Sequence, residues 1–357
     1  MKVLQVINSL HIGGAEKLLV DSISLYKVKG IEMELLLLNG TKTPFFCELE
    51  KKGVAIHSLS MGNIKMVYNP LHIFRIIPYL KKYDIIHAHL FPTLYWVGLA
   101  KVISFSKTKL IFTEHSPYNR RIESKIGRIL DKFIYNQYNV IVSITKEVDS
   151  ILKSHLSFPQ NKFRIINNGI NLSQFTELNN KIGKSKITII QVSGFRDGKD
   201  QATLIRSLQY LPENVNLLLV GDGINRVKCE NLVKELNLSN RIAFLGIRTD
   251  ITELLQSADI AILSSYYEGL SLSSIECMAS GKPFIASDVP GLRDIVRGAG
   301  LLFPAGNEKI LAEKINSLIV DKDFYDKTAK ACLERSKEYD INRMVDQYID
   351  LYKTILK

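Results

Sequence analysis

The stretch Ile260-Ala-Ile-Leu-Ser-Ser-Tyr-Tyr-Glu-Gly-Leu-Ser-Leu-Ser-Ser-Ile-Glu276 opens with a short β-branched apolar run, turns through polar residues and Gly269, and continues with helical spacing. A run bounded in this way and followed by a helical period reads as one β/α unit of a parallel sheet. Working outward, the unit repeats. Strands are expected at Ile187–Val192, Asn216–Val220, Ile242–Phe244, Ile260–Leu263, Phe284–Ala286 and Gly300–Phe303. A separate, earlier series is expected at Lys2–Asn8, Met33–Leu38, Ala55–Leu59, Ile85–Ala88, Leu110–Thr113, Val140–Ser143 and Phe163–Ile166. The fold class is therefore α/β, with helices covering parallel sheets.

The chain has 357 residues, which exceeds one ordinary core and fits two domains of roughly 150–180 residues. Asn167–Lys186 is polar, opens with Asn-Asn-Gly and has no long apolar run, as an inter-domain linker should. The expected division is a first domain over 1–170, a linker over 171–186 and a second domain over 187–340. A carboxyl-terminal helix over 341–357 is expected to pack back toward the first domain.

With 46% hydrophobic and 23% charged residues, the composition is that of a folded soluble protein. No apolar run approaches the ~18–20 residues that cross a bilayer. Met1–Leu10 resembles a short signal segment, but Gln5, Asn8 and Ser9 interrupt it, and a buried first strand is the better reading. Cys47, Cys229, Cys277 and Cys332 lie far apart with no metal-ligand spacing, which suits free thiols in a reducing cytoplasm. Charge is uneven: residues 1–178 hold 23 Lys+Arg against 13 Asp+Glu, while the remainder holds 24 against 23. A basic amino-terminal half implies an anionic partner, such as a membrane surface or a phosphorylated acceptor. Nucleic acid is disfavoured, since no aromatic RNA-binding motif, zinc-finger spacing or Arg-rich tail is present.

In open parallel sheets, ligands bind beyond the carboxyl ends of the strands. Glu268 falls in such a loop, before the amino end of a helix expected from about Ser271, where exposed N–H groups attract phosphate or sugar oxygens. Glu276 falls within that helix. Eight helical residues span roughly 12 Å, whereas the carboxylates of a retaining glycosidase stand about 5 Å apart. The pair suits two ends of one long ligand better than cleavage of a single bond.

With the trailing Ala279-Ser-Gly-Lys-Pro283, this segment resembles the retaining glycosyltransferases of family 4. Further matches are Val220-Gly-Asp-Gly223, Leu245-Gly-Ile-Arg-Thr-Asp-Ile-Thr-Glu-Leu-Leu255 ahead of Ala258-Asp259, and Ser287-Asp-Val-Pro-Gly-Leu-Arg-Asp-Ile295. Gly13-Gly-Ala-Glu16, Thr113-Glu-His115 and Asn168-Gly-Ile170 extend the likeness through the first half, so that it covers nearly the whole chain.

The resemblance implies a GT-B fold: two Rossmann-like domains facing across a cleft, with carboxyl-terminal helices. It implies a nucleotide-sugar donor, a UDP-sugar first and GDP-mannose second, and a glycan or lipid-linked acceptor. Glu276 would bind the ribose, and Glu268 the donor sugar, with the backbone of Gly269, Leu270, Ser271 and Leu272 on sugar and phosphate oxygens. Lys199 would grip the diphosphate, and Gly246, Ile247 and Arg248 would contact the base, with Gly221 nearby. Gly13 and Gly14 would admit the phosphates closely, and His115 would sit at the sugar. Relatives usually carry an Arg five residues before the diphosphate Lys. Here that position is Gly194, with Arg196 two residues on as a possible replacement or a solvated loop residue. The departure keeps a non-catalytic sugar-nucleotide-binding protein in view, and the shared fold keeps a nucleotide-sugar epimerase as a second alternative.

Neither a metal nor another cofactor is expected. The one Asp-x-Asp, Asp321-Lys-Asp323, falls in the helical tail, and His87-Ala-His89 lacks a third ligand, so that a role at the loop entry suits the histidines better. Finally, Arg121, Lys125, Arg128 and Lys132 form one helical stripe beside Ile122, Ile126, Ile129 and Phe133. The pattern alone favours a surface helix packing its apolar side on the sheet. The basic surplus of this half and the lipid-linked acceptors of relatives equally support a helix docked on anionic membrane. The expected location is the cytoplasm, with peripheral contact at the inner membrane face.

Overall fold

The protein is described from a computed structural model covering residues 1–11, 13–116, 124–175 and 186–357. It forms two compact units, Met1–Gly169 with Ile341–Lys357, and Ile170–Asp340.

The first unit holds a seven-stranded sheet of β1 (Lys2–Ile7), β2 (Glu32–Leu37), β3 (Ile56–Ser58), β4 (Ile85–His89), β5 (Lys109–Glu114), β6 (Val140–Ser143) and β7 (Phe163–Ile165). The order is β3-β2-β1-β4-β5-β6-β7, every pairing parallel. Its helices are α1 (Gly14–Val28), α2 (Pro44–Lys51), α3 (His72–Leu80), α4 (Thr93–Ser104), α5 (Lys125–Tyr135) and α6 (Lys146–Leu156). In the second unit lie β8 (Ile187–Val192), β9 (Val215–Val220), β10 (Ile242–Gly246), β11 (Ile260–Leu263), β12 (Phe284–Ser287) and β13 (Leu301–Phe303). They run in the order β10-β9-β8-β11-β12-β13, again all parallel. The helices here are α7 (Gln201–Ser207), α8 (Arg226–Glu235), α9 (Ile251–Ser257), α10 (Leu272–Ala279), α11 (Arg293–Val296), α12 (Glu308–Val320) and α13 (Lys322–Ser336). Both sheets follow the doubly wound order, which reverses beside β1 and beside β8. The fold is that of two Rossmann-like units, and the reversal points are where such sheets bind ligands.

All thirteen expected strands form, with ends shifted by at most a residue or two. The physical reason is their burial on both faces: β4, β6, β11 and β12 are buried at every position, and apart from His87 and His89 in β4 and a closing serine in β6 and β12 they read as apolar runs. Helices supply the other half of the core. In the second unit Leu204, Ile205 and Leu208 from α7 and the residue after it pack with Leu311 and Ile315 of α12 on Ile189, Leu217 and Ile262 of the sheet. A last helix, α14 (Ile341–Leu356), carries Ile341, Met344, Val345, Tyr348, Ile349 and Tyr352 at three- and four-residue spacing and buries them in the first unit, against α1.

The segment read as a linker begins inside the second unit. Ile170 pairs with Asp340, and Leu172–Phe175 form a short 3₁₀ turn that buries Phe175. Residues 176–185 of that stretch lie outside the described residues, as do Arg121 and Ile122 of the basic and apolar stripes. Asp321 serves the tail as the cap of α13, accepting from the Phe324 N–H at 2.9 Å.

Candidate active site

In the second unit the loops after β8, β9, β11 and β12 converge. The loop after β8 is held at both ends. Phe195 is buried in the core, and Asp200 caps α7 by accepting from the Thr203 N–H at 3.2 Å. Between these anchors stands Lys199, whose backbone forms an isolated antiparallel bridge with Ser265 beyond β11. Its ammonium donates to Glu268 Oε1, which also accepts from the Ser265 hydroxyl at 2.8 Å. The two side chains are only 8% and 10% exposed, so the pair is largely desolvated. A buried ion pair gains little net stability, yet removing one partner strands the other charge at a cost of about 3–5 kcal/mol. Nothing in the sequence joins residues 69 apart, and the pairing appears only in three dimensions.

Glycines let the neighbouring loops close around this pair. Gly221 (φ +129°) donates its N–H to the Gly246 carbonyl at 2.8 Å, and a Cβ on it would lie 2.2 Å from the Ser193 carbonyl oxygen. Gly223 meets the Phe195 carbonyl in the same way, at 2.3 Å. Gly291, with φ +81°, lies under the turn of Glu268 and Gly269, whose carbonyl oxygens a Cβ would approach to 2.2 and 2.3 Å. At Gly194 the nearest atom to an added Cβ is the Asp222 carbonyl at 3.6 Å, an ordinary contact. The missing arginine is therefore not enforced by the backbone. Arg196 stands exposed two residues on.

Leu270 is buried and Ser271 precedes α10, where it bonds the Ser273 hydroxyl without capping a backbone N–H. Leu272 opens the helix, and Glu276 lies inside it, partly exposed. Gly246 ends β10 with φ +66°; Ile247 is exposed, and Arg248 forms a surface pair with Asp250 at 2.5 Å.

In the first unit, Gly13 precedes α1 in extended conformation and Gly14 opens the helix, with nothing within 4 Å of an added Cβ at Gly14. A Cβ at Gly13 would lie 2.4 Å from Glu16 Oε2. Burial pushes that carboxyl up to about 7, a perturbation the sequence reading missed. His115 follows β5, with its Nε2 3.0 Å from His89 Nδ1. Burial lowers its pKa to about 4, and it lowers His87 to about 3, so both rings are neutral at pH 7. His89 ends β4, where the loop begins, and His87 lies two residues back within the strand. They are buried in the sheet core, ring centroids 4.2 Å apart, within a polar network. Among the described residues no group of three or more His, Cys, Asp or Glu is placed to hold a metal ion.

The apolar stripe of α5 also departs from the packed arrangement that its spacing alone favours. Ile126, Ile129 and Phe133 are 72%, 70% and 50% exposed, while Asp131, Ile134 and Tyr135 form the inner face. No helix of the described residues is long and apolar enough to cross a membrane.

Comparison with known proteins adds a second line. Residues 12–174 match the family model for Glycosyltransferase Family 4, and residues 174–338 match that for Glycosyl transferases group 1. The chain is 30% identical over 223 residues to N,N'-diacetylbacillosaminyl-diphospho-undecaprenol alpha-1,3-N-acetylgalactosaminyltransferase of Campylobacter jejuni, covering 57% of each chain. It is 24% identical over 322 residues, 81% of each chain, to the UDP-Gal:alpha-D-GlcNAc-diphosphoundecaprenol alpha-1,3-galactosyltransferase of Escherichia coli. Among solved structures, Anabaena Alr3699/HepE in complex with UDP superposes with a TM-score of 0.85 at 22% identity, covering 99% of this chain and 100% of that one.

Proposed function

Because the chain belongs to the family 4 glycosyltransferases of GT-B fold, we propose that it is a retaining, metal-independent enzyme. On this reading it transfers a sugar from a UDP-sugar, with GDP-mannose the second candidate, to a glycan or lipid-linked acceptor in cell-surface polysaccharide synthesis. The observation that carries the reading is the desolvated Lys199–Glu268 pair at the sheet's reversal point, beside the amino end of α10. The relatives named for undecaprenyl-diphosphate acceptors support the acceptor class, and the UDP complex of the structural neighbour supports the base.

The leaving group is a nucleoside diphosphate, so charge develops on phosphate oxygens and catalysis rests on fixed donors around them. Lys199, released from Glu268, would neutralise the diphosphate, with Arg196 and the N–H groups of Gly269, Leu270, Ser271 and Leu272 as further donors. Glu268 would then meet the donor sugar and Glu276 the ribose, with Gly221 and Gly246–Arg248 toward the base. In the first unit Gly13 and Gly14 would approach phosphate and His115 a sugar hydroxyl. The acceptor hydroxyl attacks the face that the diphosphate leaves, and the departing phosphate takes its proton.

On the same reading the enzyme works in the cytoplasm, against the inner membrane face. Support comes from the outward Ile126, Ile129 and Phe133 on a helix that also carries Lys125, Arg128 and Lys132. A transfer assay over a panel of nucleotide sugars, with acceptor extract and with chelator, tests the chemistry. Turnover should persist in chelator; Glu276→Ala should raise KM for the donor about tenfold or more, and Glu268→Ala should lower kcat by roughly 10²-fold or more. Loss of turnover in chelator with recovery on added magnesium, or full activity in both variants, overturns it.

A further inference from the structure

Two hydrogen-bonded chains run through the core of the first unit and meet at Gln5, a buried amide on β1. In one, Gln5 Nε2 donates to the Tyr352 hydroxyl of α14 at 3.1 Å, and that hydroxyl lies 2.8 Å from His87 Nδ1. His87 Nε2 lies 2.7 Å from the Thr113 hydroxyl, which reaches Tyr348 at 3.0 Å. In the other, His89 Nε2 lies 2.7 Å from Gln5 Oε1, and His89 Nδ1 lies 3.0 Å from His115 Nε2. His115 Nδ1 is buried and has no hydrogen-bond partner among the described residues.

The direction of the protons follows from one contact. An amide written either way round would satisfy both chains, with every proton reversed. Met33 Sδ lies 3.5 Å from Gln5 Nε2, and a thioether only accepts, so the NH₂ end of the amide faces it. Oε1 then faces His89, which must carry its proton on Nε2. A neutral imidazole has one N–H, so His89 Nδ1 is a bare lone pair, and the proton between the rings belongs to His115 Nε2. Burial holds all three imidazoles in the neutral form. His115 Nδ1 is left as a lone pair, and a buried acceptor without a donor is an unmet demand.

We infer that Gln5 and His89 are positioning residues that lock His115 in the Nε2–H tautomer, so that its Nδ1 accepts a hydrogen bond from a substrate hydroxyl and cannot donate to a diphosphate oxygen. The inference rests on the proposed function for its substrate, since it assumes that His115 meets the sugar or the acceptor. It narrows that reading. The partner must be a donor such as a sugar hydroxyl, and phosphate oxygens, which only accept at neutral pH, are refused at this nitrogen.

The tautomer is read directly, without substrate, from long-range ¹H–¹⁵N spectra of the full chain labelled at histidine, with the His115 signals assigned by their loss in His115→Ala. Wild type should show Nε2 protonated and Nδ1 of the lone-pair type; a protonated Nδ1 overturns the inference. Two variants extend the test. His89→Phe removes the acceptor and should lower kcat roughly tenfold or more while leaving KM for the nucleotide sugar within about twofold. His89→Asn keeps an acceptor near the Nδ1 position and should restore most of the loss. Unchanged kcat in His89→Phe, or an equal loss in both variants, counts against a positioning role. A wild-type chain that shows the expected tautomer but consumes no sugar nucleotide refutes the proposed function and leaves the proton arrangement standing.

Discussion

Gly291 and Gly298 share φ +81° but differ in surroundings. A Cβ on Gly298 would come no closer than 4.0 Å to any atom, that atom being Nη2 of Arg335, so only backbone strain opposes a side chain there. At Gly291 the same atom would run into the carbonyls of Glu268 and Gly269, which are backbone and cannot rotate aside. Gly298→Ala should therefore cost about 1 kcal/mol. Gly291→Ala should cost at least about 3 kcal/mol and displace the turn carrying Glu268. Urea unfolding of both variants, alongside donor binding, separates the two terms; equal costs would mean that the turn is free to shift. Single residues were unevenly legible in the sequence. Glu268 could be placed because polar residues after parallel strands point to the binding edge, and Lys199 through the resemblance to family 4. Their ion pair could not, because it depends on how β8 and β11 lie side by side. Gln5 reads in sequence as an interruption of an apolar strand, and its buried partners come from β2, β4 and α14.

Elements were more legible than contacts, because the parallel strands are apolar on both faces while each helix keeps its own period. The orientation of α5 shows the limit. Its spacing reveals a basic and an apolar stripe, but the inner face is fixed by a buried polar residue. Asp131 accepts from the Tyr95 hydroxyl at 2.5 Å and lies 2.8 Å from His155 Nε2, both inside the unit. A pattern reading assigns an aspartate to solvent and so turns the helix the wrong way. With Asp131 inward, Ile126, Ile129 and Phe133 face outward beside Lys125 and Arg128. Replacing Ile126 and Ile129 together by Glu should leave the melting temperature within a degree or two, since little packing is lost. It should abolish flotation with vesicles containing anionic lipid, and wild-type flotation should weaken with salt. Equal recovery of wild type and variant, or recovery with neutral vesicles alone, would assign the exposed stripe no lipid role.

At the scale of the molecule, all seven histidines fall between His11 and His155, within the first unit. Four of them, His72, His87, His89 and His115, have pKa values lowered chiefly by burial, His87 to about 3 and His115 to about 4. In the unfolded chain each of the four takes up a proton near pH 6.5, whereas the folded unit keeps these four neutral to lower pH. The unfolded state therefore binds more protons below pH 6.5. Stability that is full above this pH is lost as pH falls toward the folded values, by at most about 1.4 kcal/mol per pH unit for each histidine. Glu16 acts in the opposite sense between 4.5 and about 7, because its folded carboxyl holds a proton that the unfolded one releases. Asp21, whose carboxyl burial also raises, acts in the same sense as Glu16, and two such groups against four histidines reduce the effect without reversing it. The second unit contains no histidine and should be nearly insensitive over the same range. Trp96, the single tryptophan, donates to the Val67 carbonyl at 2.8 Å inside the first unit and reports on it alone. Between pH 7.5 and 5 the urea midpoint seen by its fluorescence should fall, while limited proteolysis should show Ile170–Asp340 still protected. A midpoint that stays constant between pH 7.5 and 5 would mean that these histidines already carry charge when the chain is folded, and the proton arrangement built on Gln5 would lose its neutral rings.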